Sequence, residues 1–218
     1  MIENKELVHE NDFNTVQYEP FVIKEHRIYF IIKRIFDIVL SSVACIVLCI
    51  PMLLLAIMIW IESPGPVIYK QERLGVNGEK FIMYKFRSMK LNAEENGPTW
   101  ASVNDNRCTK VGKVMRLFHM DELPQLWNII KGEMTIVGPR PEREYFYNIF
   151  EKSIPQFRER LRVKPGLTGL SQVNGCYDLT PEERLMYDKE YIENMSFLLD
   201  LKCIIKTVFV VFNHKGAR

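Results

Sequence analysis

The chain has 218 residues, and its 29 lysines and arginines against 27 aspartates and glutamates leave a net charge of only +2. This balance excludes the strongly basic composition of many nucleic-acid-binding domains, and the length predicts one domain with a real core. The five cysteines are scattered, without a CxxC pair or a Cys/His cluster. We therefore expect no zinc site, no disulfides and no nucleic-acid partner, and a reduced chain that faces the cytosol.

The N-terminal third divides into a polar arm and an apolar segment. Residues 1–30 form an arm of mixed charge that lacks the apolar core and the cleavage site of a signal peptide. From Ile35 to Ile61 the chain is almost wholly apolar, interrupted by Asp37 and Pro51. Because about 20 apolar residues cross a hydrocarbon core, we predict a membrane helix over residues 31–62. The alternative, a buried helix of a soluble protein, fits less well because the segment is apolar on all sides.

Pro51 predicts a bend near the middle of this segment, because proline offers no N–H to the carbonyl of Val47. Basic residues flank the segment on both sides: Lys24, Arg27, Lys33 and Arg34 before it, Lys70 and Arg73 after it. Positive charge is retained on the cytoplasmic side of a membrane. We therefore favour a re-entrant helix that enters and leaves by that side, with a single-pass helix as the alternative.

Residues 63–218 are predicted to form a cytosolic module that begins with a β-hairpin. The breaker Ser63-Pro64-Gly65-Pro66 precedes two strand-like segments, Val67–Arg73 and Lys80–Arg87. The hairpin carries Lys70, Arg73, Lys85 and Arg87. These residues either face a phosphate or only protect the sheet edge from pairing.

The adjacent carboxylates Asp121 and Glu122 are the main candidates for chemistry. Residues 111–118 have a helical pattern, and Asp121 is predicted to cap a second helix that ends near Gly132. The apolar face of that helix comprises Leu123, Leu126, Trp127 and Ile130. Capping alone explains many such pairs. A helix N-terminus would also keep Asp121 ionised as a nucleophile and stabilise a phosphoryl group, while Glu122 would help to hold Mg²⁺ or relay a proton.

Several later segments leave two interpretations open. Arg140 stands between two prolines, which suits a rigid phosphate ligand. The glycine-rich residues 163–175, which include Gln172, form either a ligand-binding loop or a buried turn. Residues 197–212 predict an amphipathic helix that lies either in the membrane plane or against the core. Residues 157–162 would lay a basic face on anionic lipid or remain merely solvated.

The ordered combination of these motifs resembles the bacterial sugar transferases, the monotopic phosphoglycosyl transferases that begin the assembly of capsule, exopolysaccharide and other surface glycans. The matching segments are Lys33–Asp37, Pro51, Gly65–Gly75, Tyr84–Met89, Asp121–Asn128, Gly138–Pro141, Lys164–Gly169 and Asp188–Asp200. So many motifs in order make a chance resemblance implausible. The chain is similar to the small, minimal form of the family with an added N-terminal arm.

The resemblance implies an α+β fold that is mostly helical, with a re-entrant helix, a small hairpin and a helical module seated on the membrane by amphipathic helices. It implies a bacterial inner-membrane enzyme whose catalytic module faces the cytoplasm and moves a sugar-1-phosphate from a UDP-sugar to undecaprenyl phosphate. In it, Asp121 forms a covalent sugar-phosphoryl intermediate and releases UMP, and Glu122 serves metal binding or deprotonation. Implied partners include the bilayer and downstream glycosyltransferases.

The implied ligand set comprises Asp121 and Glu122 for Mg²⁺, or Mn²⁺ in its place. The implied phosphate and nucleotide-sugar ligands are Arg116, Arg140, Lys85, Arg87, Lys70 and Gln172. The chain departs from the family pattern in two places: Ile50 precedes Pro51 where serine is common, and His119 replaces a small polar residue near the acids. Hexosyl transfer with release of UDP, or a membrane scaffold with an inactive site, are the alternatives.

Overall fold

The structure is a computed structural model that describes residues 20–24, 27–93, 95, 105–175 and 179–213. Helices hold most of these residues, and the strands form two small sheets of two strands each. The mostly helical α+β class predicted from the sequence is therefore confirmed. Residues 1–19 of the predicted arm lie outside the described residues.

Two helices with a sharp angle between them replace the single apolar segment of the sequence. Helix α1 is Arg27–Val47 and helix α2 is Cys49–Glu62, and the pair is bent by 61°. Among the described residues, no single helix is long and apolar enough to cross a membrane, and the bent pair together meets this requirement by length and composition only. Pro51 lies in the first turn of α2, where a missing N–H removes no helical hydrogen bond. The predicted bend is confirmed.

The hairpin lies where the sequence predicts it, within one residue at each end. Strand β1 (Ile68–Leu74) pairs antiparallel with strand β2 (Lys80–Phe86), and Ile68 stands opposite Phe86. Phe86 packs with Ile59 of α2 in a small apolar cluster. The start of the hairpin is thereby fixed against the end of α2.

The next two helices flank the carboxylate pair. Helix α3 is Lys110–Leu117 and helix α4 is Gln125–Lys131, which ends at Gly132 with φ 91° as predicted. The buried side chains of α4 are Gln125, Leu126, Asn128 and Ile129. Of the predicted apolar face, Leu126 is buried, whereas Trp127 is 53% exposed. The helix begins at Gln125, later than predicted.

The glycine-rich segment forms a close crossing of two chains. Strand β3 (Thr135–Val137) pairs parallel with strand β4 (Gly166–Thr168), and helix α6 (Leu170–Asn174) follows β4. A Cβ atom on Gly166 would lie 2.1 Å from the backbone nitrogen of Gly138. The segment is largely buried, as one interpretation expected, but it forms a strand and a helix instead of a turn, and the strand holds the chain just before Arg140.

Three further helices complete the module: α5 (Glu144–Phe150), α7 (Pro181–Glu193) and α8 (Phe197–Phe212). Helix α8 packs by Asp200 and Cys203 and exposes apolar side chains on its other side, among them Leu198, Phe209 and Phe212. The predicted basic face at 157–162 is wrong for Arg160. Its guanidinium is fully buried, and its Nε donates to Asp188 Oδ2 at 2.6 Å. An arginine that is buried and paired with an aspartate cannot contact lipid.

Polar contacts tie α1 to the module. Asp37, buried within this apolar helix, accepts hydrogen bonds from the Thr135 hydroxyl at 2.6 Å and the Ile136 amide at 3.0 Å. Arg34 donates to the carbonyls of Ile129 and Ile130 at the end of α4. The bent pair is therefore packed on the same helix that follows the two carboxylates.

Candidate active site

A cavity of about 600 Å³ lies between the hairpin, α3, the turn that carries the two carboxylates, and the segment around Arg140. It brings together seven of the eight predicted site residues: Lys70, Lys85, Arg87, Arg116, Asp121, Glu122 and Arg140. Gln172 is absent from its described lining. The Gln172 side chain instead lies on α6, where its Oε1 accepts from the Ser171 hydroxyl at 3.0 Å.

Asp121 does not cap a helix. It lies in a single 3-10 turn, Met120–Glu122, and α4 begins only at Gln125. His119 enters the turn with φ 54°, in the left-handed region, and Met120 and Leu123 pack against the cluster around Met115. The predicted helix cap is therefore wrong. Asp121 lies in a tighter 3-10 turn, and the apolar contacts of Met120 and Leu123 hold this turn on either side of Asp121.

The Asp121 carboxylate is 8% exposed, lines the cavity, and accepts no hydrogen bond from the residues that the structure describes. Burial raises the pKa of Asp121, while the neighbouring Lys85 and Arg116 act in the opposite direction. The sequence predicted that a helix terminus keeps this carboxylate ionised. In the structure, basic side chains, and not a helix terminus, oppose the effect of burial on the pKa of Asp121.

Glu122 joins two cations. Its Oε1 accepts from Lys85 Nζ at 2.8 Å and from an Arg140 guanidinium nitrogen at 2.7 Å. Burial opposes ionisation, but Arg140 and Lys85 outweigh it and hold the pKa of Glu122 well below its usual range. A carboxylate with so low a pKa is a weak base, and its contacts instead position Lys85 and Arg140 beside Asp121.

A third carboxylate in the cavity, Glu142, was not predicted from the sequence. It accepts from Arg184 at 2.5 Å and from Arg73 at 3.1 Å. Despite burial, Arg184 and Arg73 hold the pKa of Glu142 below its usual range. The one signal in the sequence was its place two residues after Arg140, whereas its partners lie far away in the chain.

Hydrogen bonds hold Arg140 at its backbone carbonyl and Arg116 at its side chain. Arg160 donates to the backbone carbonyl of Arg140 at 2.8 Å. Because Arg160 is itself held by its buried ion pair with Asp188, this hydrogen bond fixes the segment that carries Arg140. Arg116 donates through Nε to the Ser88 hydroxyl at 2.9 Å. Glu62, the last residue of α2, accepts from the first amides of α3 and thus sets the helix that carries Arg116.

The residues present fit a magnesium ion. Within the described residues there is no group of three or more histidine, cysteine, aspartate or glutamate side chains close enough to enclose a metal. Mg²⁺, however, is held in proteins by one or two carboxylates together with waters and substrate phosphates. The oxygens of Asp121 accept no hydrogen bond from the described residues, so they are suited to bind such an ion. Glu122 is the adjacent residue, and its second carboxylate oxygen, Oε2, would be the other protein ligand.

Three known proteins are similar to the chain over most of its length. A UDP-N-acetylgalactosamine-undecaprenyl-phosphate N-acetylgalactosaminephosphotransferase of Aeromonas hydrophila is 38% identical over 214 residues, which are 97% of this chain and 49% of that protein. A UDP-glucose:undecaprenyl-phosphate glucose-1-phosphate transferase of Xanthomonas campestris pv. campestris is 40% identical over 197 residues, 87% of this chain and 40% of that protein. An exopolysaccharide production protein of Rhizobium leguminosarum bv. phaseoli is 36% identical and covers 82% of this chain and 94% of its own length.

The chain thus spans half or less of the first two relatives and nearly all of the third. The sequence profile described as bacterial sugar transferase matches residues 28–214, which include the bent helix pair, the hairpin and every described residue of the cavity. This match confirms the resemblance seen in the ordered motifs. The chain belongs to the bacterial sugar transferase family.

Proposed function

We propose that the chain transfers a sugar-1-phosphate from a UDP-sugar to undecaprenyl phosphate and releases UMP. The observation that carries this proposal is the Asp121 carboxylate. It is free of hydrogen bonds to the described residues and lies in a cavity beside Lys85, Arg116 and Arg140. A nucleophilic carboxylate among basic side chains suits attack on a phosphate. The names of the Aeromonas and Xanthomonas relatives, which specify sugar-phosphate transfer to undecaprenyl phosphate, support it.

The first half-reaction forms a covalent bond to the enzyme. An oxygen of Asp121 attacks the phosphorus that bears the sugar, and the bond from that phosphorus to the bridging oxygen breaks. UMP leaves with the bonding electron pair, and the sugar phosphate remains on Asp121 as an acyl phosphate. Arg140 and Lys85 would neutralise charge on the phosphoryl oxygens, positioned for this by Glu122.

The second half-reaction regenerates the carboxylate. A terminal oxygen of undecaprenyl phosphate attacks the same phosphorus, the bond to Asp121 breaks, and undecaprenyl-diphosphate-sugar leaves. Mg²⁺, or Mn²⁺, is part of the proposal: Asp121 and Glu122 would hold it, and when bound it would neutralise charge on the donor diphosphate.

The proposed location is the cytoplasmic face of the bacterial inner membrane, with α1 and α2 as a re-entrant pair. Their exposed apolar side chains, among them Ile46, Leu53 and Trp60, support insertion, and the flanking basic residues support the cytoplasmic side. The product would then be available to downstream glycosyltransferases on the same face.

The test is a product assay on protein held in nanodiscs, with undecaprenyl phosphate, Mg²⁺ and a panel of UDP-glucose, UDP-galactose and UDP-N-acetylgalactosamine. We expect UMP from the wild type, and a loss of at least about 1,000-fold in Asp121→Asn because an amide is no nucleophile here. Glu72→Gln removes an exposed carboxylate outside the cavity and serves as the matched control.

The products separate the proposal from its rivals. Release of UDP would indicate hexosyl transfer, and the absence of either nucleotide with every donor would indicate a scaffold. Full activity of Asp121→Asn would contradict the covalent mechanism even if UMP were formed.

A further inference from the structure

Arg87 stands at the junction between the bent helix pair and the cavity. Its backbone N–H continues the hairpin by donating to the carbonyl of Val67 at 2.8 Å. Its side chain lines the cavity and donates through one terminal nitrogen to the carbonyl of Ser63, the residue directly after the last residue of α2. Gly65, with φ 137°, leaves the space for the guanidinium, since a Cβ there would lie 2.7 Å from Nη1.

The side chain of Arg87 is buried and forms no ion pair with the residues that the structure describes. The residue is 6% exposed, and its Nε and Nη1 have no hydrogen-bond partner among the described residues. In the same cavity, Lys85 and Arg140 share Glu122, and Arg73 and Arg184 share Glu142. A buried charge that lacks a partner is costly. An anion that enters the cavity would remove this cost.

The surroundings of Arg87 suit a phosphate that arrives from the membrane. The chain segments that meet at Arg87 contribute the apolar lining residues Ile68, Phe86, Met89 and Leu91, together with the polar Ser88 and Lys90. Ile68 and Phe86 belong to the cluster that contains Ile59 of α2, so this wall is continuous with the helix pair. A lipid phosphate lies at the membrane surface with its chain in the hydrocarbon, which is where α2 would leave the bilayer in the proposed arrangement.

We propose that Arg87 binds the phosphate of the polyprenyl acceptor, whereas the side chains held by Glu122 and Glu142 serve the nucleotide donor. This inference rests on the proposed function, because it assigns one subsite of the same reaction. It divides the cavity into an acceptor end beside α2 and a donor end beside α7. The division predicts that the two half-reactions respond differently to substitution at residue 87.

The test measures each half-reaction separately in nanodiscs. UDP-sugar alone gives a burst of UMP equal to the enzyme and a mass increase on the protein, and titration with undecaprenyl phosphate gives kcat/KM for the acceptor. For Arg87→Gln we expect kcat/KM for the acceptor to fall about 10- to 100-fold, as for loss of charge-assisted hydrogen bonds. The rate of the UMP burst should change by less than about 3-fold, since the donor makes no contact with Arg87.

Two further variants complete the experiment. Arg87→Lys keeps the charge but loses the forked geometry, so the acceptor kcat/KM should recover in part. It also decides the question if Arg87→Gln fails to fold, because its own loss must then fall on the acceptor alone. Lys80→Gln removes a basic residue of the same hairpin that lies outside the cavity, and it should leave both half-reactions unchanged.

An equal fall of the UMP burst and the acceptor kcat/KM would assign Arg87 to the donor and overturn the inference. So would unchanged kinetics in Arg87→Gln. If the wild type releases no UMP and gains no mass from any UDP-sugar, the proposed function itself fails, and this outcome is distinct from the other two.

Discussion

At the scale of single residues, Glu122 shows how two neighbouring carboxylates take different parts. Asp121 accepts no hydrogen bond from the described residues, whereas Glu122 holds Lys85 and Arg140 at 2.8 and 2.7 Å. These contacts fix two cations within a buried site before any substrate arrives. Preorganised charge of this kind stabilises the transition state without further rearrangement.

We therefore expect Glu122→Gln to lower kcat/KM for the UDP-sugar by about 100-fold, because the amide no longer fixes the two cations. Glu122→Asp keeps the charge on a shorter side chain and should lose less. The measurement is the UMP burst, with thermal unfolding as a check on folding. Glu122→Gln with wild-type kinetics would show that Lys85 and Arg140 need no fixed partner.

Sequence reasoning found most of the cavity because its residues cluster in short motifs. Asp121, Glu122 and Arg140 were found as local patterns, and the hairpin supplied Lys70, Lys85 and Arg87. Glu142 was missed because its partners Arg73 and Arg184 are 69 and 42 residues away in the chain. Gln172 was selected from a glycine-rich pattern that serves a backbone crossing. Whether a glycine-rich segment binds a ligand or lets two backbones cross depends on tertiary packing.

At the scale of elements, boundaries followed local signals where the signal was unambiguous. Alternating side chains and a glycine turn placed β1 and β2 to within one residue. The start of α4 was misplaced because aspartate near a proline fits both a cap and a 3-10 turn. Met120 and Leu123 pack in an apolar cluster that holds the 3-10 turn in place. These are tertiary contacts, which the local sequence does not show.

Glu142 joins two elements that are far apart in sequence, since it binds Arg73 of β1 and Arg184 of α7. Replacing it with glutamine would leave the buried Arg184 and the partly buried Arg73 without this carboxylate. We expect Glu142→Gln to lower the free energy of unfolding by about 3 kcal/mol at neutral pH. Glu144→Gln, which breaks an exposed pair with Lys80, should have little effect.

The effect of Glu142 should depend on pH in a defined direction. Its pKa is lower in the folded state than the value of about 4.3 for an unfolded chain. Its contribution is therefore fully present above that value and is lost as pH falls through the folded pKa. The gap in thermal midpoint between wild type and Glu142→Gln should be constant from pH 8 to about 6 and close below about 4. A gap that widens on acidification would contradict the assignment.

At the scale of the whole molecule, exposed apolar side chains gather on the bent helix pair and on α8. Ile46, Leu53 and Trp60 on the pair, and Leu198, Phe209 and Phe212 on α8, are all more than half exposed. Asp37 and Arg34 hold the pair on the module, and Lys33 of α1 pairs with Asp200 of α8 at 2.7 Å. A bilayer that covers both surfaces would leave the polar cavity at its boundary, within reach of a lipid phosphate.

In the proposed membrane arrangement, the bend decides on which side of the membrane the N-terminus lies. Helix α2 has 14 residues and is about 21 Å long, which is less than the roughly 30 Å of a hydrocarbon core, so it cannot cross alone. With the bend, both ends of the chain should lie in the cytoplasm. An N-terminal tag and a C-terminal tag on the wild type should then both resist protease added to intact spheroplasts and be cleaved after lysis.

Pro51→Ala tests the cause of the bend, because alanine restores the N–H that can bond to the carbonyl of Val47 and allows a continuous helix. A continuous helix is long enough to span, so we expect a fraction of this variant to expose its N-terminal tag to external protease. Met52→Ala, a neighbouring substitution that leaves the backbone donors unchanged, should behave as the wild type. Cleavage of the wild-type N-terminal tag in intact spheroplasts would mean that the helix pair spans the membrane. The re-entrant arrangement would then be wrong, and only the C-terminal end of α2 would lie on the cytoplasmic side with the cavity.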